Sequence, residues 1–218
     1  MPGELRQRIS EWFGSVLPGY PHASGRWVVL DCETTGLNPE SDQLLSIGAI
    51  GVRDGTIDLS DSFEIILRPD RPSAHDNVQI HGIGIGGQMA GVAPLAALLE
   101  FTRFVADDPL LAFHAPFDRA FINKALGASG IRARFRWLDV AALAVAAMPG
   151  QKANSLDDWL DVLRIPVFRR HHAVGDALAT AMLFLAIRAR AGSAGKDLKS
   201  LTRLARQARW LGTASSGA

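Results

Sequence analysis

The order in which the apolar pattern changes along this chain constrains its fold more than any other feature. Residues 27–31 form a short apolar strand, closed by a turn at Gly36, Asn38 and Pro39. A second strand covers residues 44–52. After the Asp54-Gly55 pair, residues 57–67 carry Phe63, Ile65 and Leu67 in alternation. Asp-Gly between two such runs is a hairpin signal, because the tight turn needs positive φ at both residues, so the runs pair antiparallel. Residues 69–92, rich in Gly, Pro and polar side chains, read as loop. Beyond them the texture changes. Residues 93–105 are helical by composition, 110–113 make a short buried strand, and 117–126 are helical again up to Gly127 and Gly130. A last strand is expected over 134–138, with helices over 139–148, 155–163 and 173–190. Ser155 is a plausible N-cap there, with Asp157 and Asp158 in the first turn. Strands first, then helix alternating with strand, imply an α/β fold: a mixed five-stranded sheet flanked by helices.

The two ends stand apart from this body, which spans residues 24–191. Leu5, Ile9, Trp12, Phe13 and Val16 recur at spacings of three and four, an amphipathic helix within residues 1–20 that Pro18 and Gly19 stop. Within 192–218, Gly192-Ser193-Ala194-Gly195 is expected to be a flexible joint. The helix after it, over 196–211, has Leu198, Leu201, Leu204 and Leu211 roughly on one side and Lys199, Arg203, Arg206 and Arg209 elsewhere.

With 48% hydrophobic and 21% charged residues in 218, neither a disordered tail nor a fibrous repeat fits. No apolar stretch approaches the roughly 20 residues that cross a bilayer. Glu4, Arg6, Arg8 and Glu11 interrupt the first segment, so it lacks the apolar centre of a secretory signal, and a cytoplasmic location is expected. The one cysteine, Cys32, suits a reducing compartment. A net charge of +1 argues against coating nucleic acid by bulk charge but leaves a local cleft open.

The sharpest local feature is Asp31-Cys32-Glu33 at the end of the first strand. A period of two points both carboxylates to one face and Cys32 to the other. Asp118 opens the helix after the 110–113 strand, and Asp176 lies in the first turns of the helix from Ala173. Each alone reads as a solvated turn residue or as favourable charge near a helix N-terminus. If the strand end and both helix starts converge, four acids share one cleft. Two like charges about 4 Å apart repel by roughly 4 kcal/mol at an effective dielectric near 20, so such a cluster takes up protons or cations. Oxygen-only ligands favour Mg²⁺ or Mn²⁺ over zinc.

The surrounding residues, Asp31-Cys32-Glu33-Thr34-Thr35-Gly36, His114-Ala115-Pro116-Phe117-Asp118 and His171-His172-Ala173-Val174-Gly175-Asp176, carry a resemblance. In order and spacing they resemble the three motifs of the DnaQ-like DEDDh-type 3′ to 5′ exonucleases, the family of the proofreading epsilon subunit of bacterial DNA polymerase III. The resemblance covers about residues 27–190 and implies a ribonuclease H-like fold. It implies that Asp31, Glu33 and Asp176 hold one of two Mg²⁺ or Mn²⁺ ions. Asp31 would bridge to the second, helped by Asp118. It further implies that His171 is the general base, with His172 in reserve. Backbone at Thr34, Thr35 and Gly36 would grip the terminal nucleotide, and His81, Gly82 and Ile83 would help form its pocket. One departure stands out: many relatives have Asn where this chain has His114.

The implied activity is removal of 5′-mononucleotides from the 3′ ends of single-stranded or frayed DNA, in proofreading or repair. RNA trimming is the alternative within the family. A non-catalytic module is the alternative outside it, its terminal helices docking a polymerase subunit or a second copy of the chain. Two further signals weigh less. Gly82-Ile83-Gly84-Ile85-Gly86-Gly87 matches the dinucleotide fingerprint but follows too short an apolar run to be a strand. Arg164, Arg169, Arg170 and the cations of the last helix could track phosphates, although a solvated helix face is the commoner explanation for such charges.

Overall fold

The computed structural model describes residues 25–166, 170–195 and 197–214. The expected N-terminal helix and Arg169 lie outside them. Three strands open the fold, β1 (Arg26–Thr34), β2 (Leu44–Arg53) and β3 (Thr56–Ile66), followed by the short β4 (Leu110–Ala112) and β5 (Trp137–Asp139). The sheet order is β3-β2-β1-β4-β5. β1, β2 and β3 pair antiparallel, whereas β4 and β5 join parallel to β1. The β2–β3 turn is the one that Asp54-Gly55 predicts, with φ of 51° and 78° at the two residues.

The helices are α1 (His75–His81), α2 (Ile85–Met89), α3 (Pro94–Val105), α4 (Ala115–Ala128), α5 (Val140–Ala147), α6 (Leu156–Val162), α7 (Ala173–Ala191) and α8 (Leu198–Ala214). Ser155 caps α6 as expected, in a capping box with Asp158. Two short helices replace half of the expected loop over 69–92. Buried Gln88 holds them: its Oε1 accepts from the Ser73 N–H at 2.8 Å, and its Nε2 donates to the Ile83 carbonyl at 2.8 Å. A side-chain network of this kind leaves no trace in apolar periodicity. The stretch expected to be a joint, Gly192–Gly195, is a turn of 3-10 helix whose Gly195 carbonyl accepts from buried Arg188 Nε at 2.9 Å. Leu201 of α8 is fully buried in the main core.

The period of two along β1 feeds two separate cores. Val28, Leu30 and Cys32 face Phe101 of α3 and Phe121 and Ile122 of α4. Trp27 and Val29 face the opposite way, into a core with Leu143 of α5, Trp159 of α6 and Met182 and Phe184 of α7. Helix α7 is apolar nearly all round, with residues 176–188 buried, as suits a helix enclosed by its neighbours. Asp31 and Glu33 therefore share the face that α7 covers, and Cys32 shares the face that α4 covers. This division positions the site.

Candidate active site

Gly48 lies opposite Asp31 in the β1–β2 register. A Cβ built there would come within 2.2 Å of the Ala173 carbonyl carbon and the Val174 nitrogen. The missing side chain is what lets the first turn of α7 lie directly on the sheet. One turn later, Asp176 reaches the strand end. Ligand oxygens of Asp31, Glu33 and Asp176 lie within 4.8 Å of one another.

Asp118 arrives from the other face. β4 stops at Ala112 while β1 runs on to Thr34, so beyond the end of β4 the edge of β1 is open to the first turn of α4. There the buried Asp118 carboxyl lies beside Cys32, whose thiol and backbone favour its charged form. It stands outside the three-acid set but close enough to Asp31 for the two charges to repel. Cys32 thus points away from Asp31 and Glu33, as a period of two requires, yet contacts the fourth acid.

Electrostatics follow from this crowding. Burial, then repulsion from Asp118, Asp176 and Glu33, holds the Asp31 carboxyl well above the usual carboxylate range. Burial and Asp176 push Glu33 up to about 7, and burial pushes Asp118 up to about 7 against its Cys32 hydrogen bonds. Burial also raises Asp176, opposed by Arg170 and by the His171 N–H, which donates to Asp176 Oδ2 at 3.0 Å. Arg170 is the cation of the site: its Nη1 bonds Asp176 and its Nε bonds Asp157 at 2.6 Å. Its position just before His171 was the available signal, but the sequence did not show that it folds back onto the acids. Nothing in composition marked Gly48.

His171 is exposed, with φ of 56°, and its backbone N–H is bonded to Asp176. His172, the N-cap residue of α7, instead turns its Nε2 to Glu64 Oε1 at 3.1 Å, across the sheet on β3. His114 occupies the left-handed region at the start of α4, φ 59° and ψ 49°, a conformation that Asn and His tolerate better than most residues.

The remaining expected residues flank the strand end. Thr34 Oγ1 donates to the Gly36 carbonyl at 2.6 Å, and Thr35 Oγ1 accepts from the Gln43 N–H at 2.9 Å. Asn77 of α1 donates to the Thr35 carbonyl, tying the helical insertion to this turn. His81 is buried: its Nδ1 accepts from the Ile83 N–H at 3.1 Å, so its Nε2 carries the proton toward Ser73 Oγ at 3.3 Å. Burial lowers its pKa, consistent with a neutral ring. His81 holds the loop through its ring nitrogens, while exposed Gly82 ends α1 in the left-handed region and Ile83 is half-buried.

The donor set fits a divalent cation: three carboxylates in mutual reach, raised toward neutrality chiefly by burial, with no sulfur or imidazole among the converging atoms. No helix among the described residues is long and apolar enough to cross a membrane.

Comparison with known proteins bears on the family and the fold. The chain is 33% identical over 163 residues to the PolC-type DNA polymerase III of Thermotoga petrophila, covering 73% of this chain and 12% of that protein. It is 32% identical over 164 residues to a DNA polymerase III subunit epsilon-like protein of Rhodobacter capsulatus, covering 73% of this chain and 23% of that one. The chain thus spans under a quarter of either relative. Among solved structures, exonuclease X in complex with 5′ overhanging duplex DNA superposes with a TM-score of 0.64 at 22% identity, over 83% of this chain and 98% of that one. Cell-death related nuclease 4 superposes with a TM-score of 0.66 at 14% identity, over 76% and 64%. The fold is ribonuclease H-like, as expected. Residues 28–184 match the model of the exonuclease family RNase_T, and the chain belongs to that family.

Proposed function

We propose that this chain is a metal-dependent 3′ to 5′ exonuclease that releases 5′-mononucleotides from single-stranded or frayed DNA ends. The observation that carries the reading is the approach of Asp31, Glu33 and Asp176 to within 4.8 Å on a member of the exonuclease family. DNA is favoured because polymerase III proteins are among the relatives and exonuclease X was solved with DNA.

Asp31, Glu33 and Asp176 would hold one Mg²⁺ or Mn²⁺, and Asp31 with Asp118 would face a second. Such a pair of ions, when bound, clamps the attacking and leaving oxygens of an in-line displacement. The protein does the rest. His171, exposed beside the acids, takes a proton from the attacking water, for which imidazole has a suitable native pKa. His172 is engaged with Glu64 and leaves that role to its neighbour. Arg170 neutralises Asp176 before any cation arrives. Backbone at Thr34, Thr35 and Gly36 positions the last nucleotide. His81 holds the Ile83 backbone, so that Gly82 and Ile83 present a fixed edge to its base or sugar.

The test is incubation with 3′-labelled DNA and RNA oligomers in Mg²⁺, in Mn²⁺ and in EDTA. Labelled mononucleotide should appear with either metal, faster from DNA, and not in EDTA. No release under any metal condition would overturn the proposal, and release from RNA alone would correct its substrate.

A further inference from the structure

The three parallel strands β1, β4 and β5 end on one side of the sheet, and the last of them ends at Asp139, whose charge Asp118 feels. From that point a groove of about 620 Å³ runs outward along the edge strand β5. Its walls are the first turns of α4, with Ala115, Pro116 and Arg119, and helix α8, with Thr202 and Arg206. Trp137 lies half-buried along it. A second depression continues it between Arg136 and Lys199, Thr202, Arg203 and Arg206.

Charge in this groove is one-sided. Arg119, Arg136, Arg203 and Arg206 are exposed, and none forms an ion pair among the described residues. The one acid in the lining, Asp139, turns its carboxylate to its own helix, accepting from the Ala141 N–H at 3.0 Å and the Ala142 N–H at 3.4 Å. Nor do the cations sit on a loose tail. Leu201 is fully buried, and Leu198, Leu204 and Ala205 pack against the main core, which fixes the rotation of α8. Lys199, Arg203 and Arg206, at steps of four and three, then form one stripe directed at the groove. Arg136 donates to the Asp107 carbonyl, which holds its guanidinium at the edge of the channel. Four guanidinium groups without an acidic partner, along a channel that starts beside the acids, fit a row of phosphates, which Arg binds bidentately. Trp137 offers an apolar surface for a sugar or base.

We infer that this β5–α8 groove binds the phosphate backbone of the nucleic-acid strand several nucleotides away from the reacting end. The inference rests on the exonuclease reading, because the groove has its purpose only if a strand enters the acid cluster.

The experiment is fluorescence anisotropy of a labelled 20-nucleotide single strand in EDTA, where no cleavage occurs, between 0.05 and 0.3 M salt. The native chain is compared with R119Q/R203Q/R206Q and with the off-groove control R53Q/R68Q/R103Q, whose net charge change is equal. Each phosphate contact on a single strand adds about 0.7 to the slope of log affinity against log salt. Losing three should therefore flatten the slope by about 2 and weaken binding at 0.1 M salt about a hundredfold, with the control close to native. Single variants should each flatten it by about 0.7. Equal slopes in the native and groove variants, or an equal loss in the control, overturn the groove while native cleavage leaves the exonuclease reading standing. A native chain that neither binds nor cleaves the strand overturns both.

Discussion

Replacing Gly48 by Ala probes the step that brings the acids together without touching any of them. The added methyl would sit 2.2 Å from the Ala173 carbonyl carbon and the Val174 nitrogen, and 2.7 Å from the Ala173 oxygen. Ordinary contact begins near 3.4 Å, so the first turn of α7 must retreat by about 1 Å or more. The obstacle is backbone, and no side chain can swing aside. Asp176, one turn further along, is carried with it. A displacement of about 1 Å at a reacting geometry costs on the order of 10²-fold in rate, whereas overpacking by a methyl costs about 1–3 kcal/mol of stability. Gly48→Ala should therefore remain folded, with a lower melting temperature, while release of mononucleotide falls about a hundredfold and Mn²⁺ binds more weakly. The assay pairs thermal unfolding with release from a 3′-labelled oligonucleotide. Native activity and native Mn²⁺ affinity in the folded variant would refute the claim that contact of α7 with β2 sets the spacing of the acids.

Other perturbations read other parts of the site. His171→Ala should slow hydrolysis by about 10²- to 10⁴-fold, the range of a positioned general base. His172→Ala should cost far less, and a larger loss there would reverse the assignment. In EDTA the protein should become more stable as pH falls from 8 toward 5. Glu33 and Asp118 are both raised to about 7, so the folded state binds protons that the unfolded state does not. The burden is full above pH 7 and relieved as pH drops through it. For Glu33, raised from 4.5, it is at most about 3 kcal/mol. Saturating Mg²⁺ should flatten this dependence, and a melting temperature that falls steadily from pH 8 to 6 in EDTA would contradict it. Arg170→Gln removes the cation bonded to Asp176 and should steepen the same dependence, measured by the same melting curves.

Much of this architecture was legible because it is written in local pattern. Asp54-Gly55 specified the β2–β3 hairpin, and the alternation of Asp31, Cys32 and Glu33 specified which side chains share a face. The extent of β1 was not, since the Thr34 end pairs only with β2 and its other edge is open where β4 stops. Nor were α1 and α2, which depend on Ser73, His81 and Gln88 meeting across the chain. The acids themselves stood out in sequence. Their grouping was implied by the family resemblance and not by residue spacing: three gather on the face under α7, and Asp118 approaches the strand end from the α4 side, beside Cys32. That asymmetry arises from the two-sided burial of β1, which residue spacing alone does not specify. Arg170, which balances the cluster, and Gly48, which admits α7, act through contacts between segments more than a hundred residues apart or folded back on themselves.

The account depends on the carboxylates of β1 and α7 forming a cation site. Calorimetric titration of Mn²⁺ at pH 8 into the native chain and into Asp31→Asn tests this most directly. Saturable binding to the native protein, weakened at least about a hundredfold in the folded Asp31→Asn variant together with its hydrolysis, is the predicted result. Absent binding to the native chain, or equal binding to both, would contradict it.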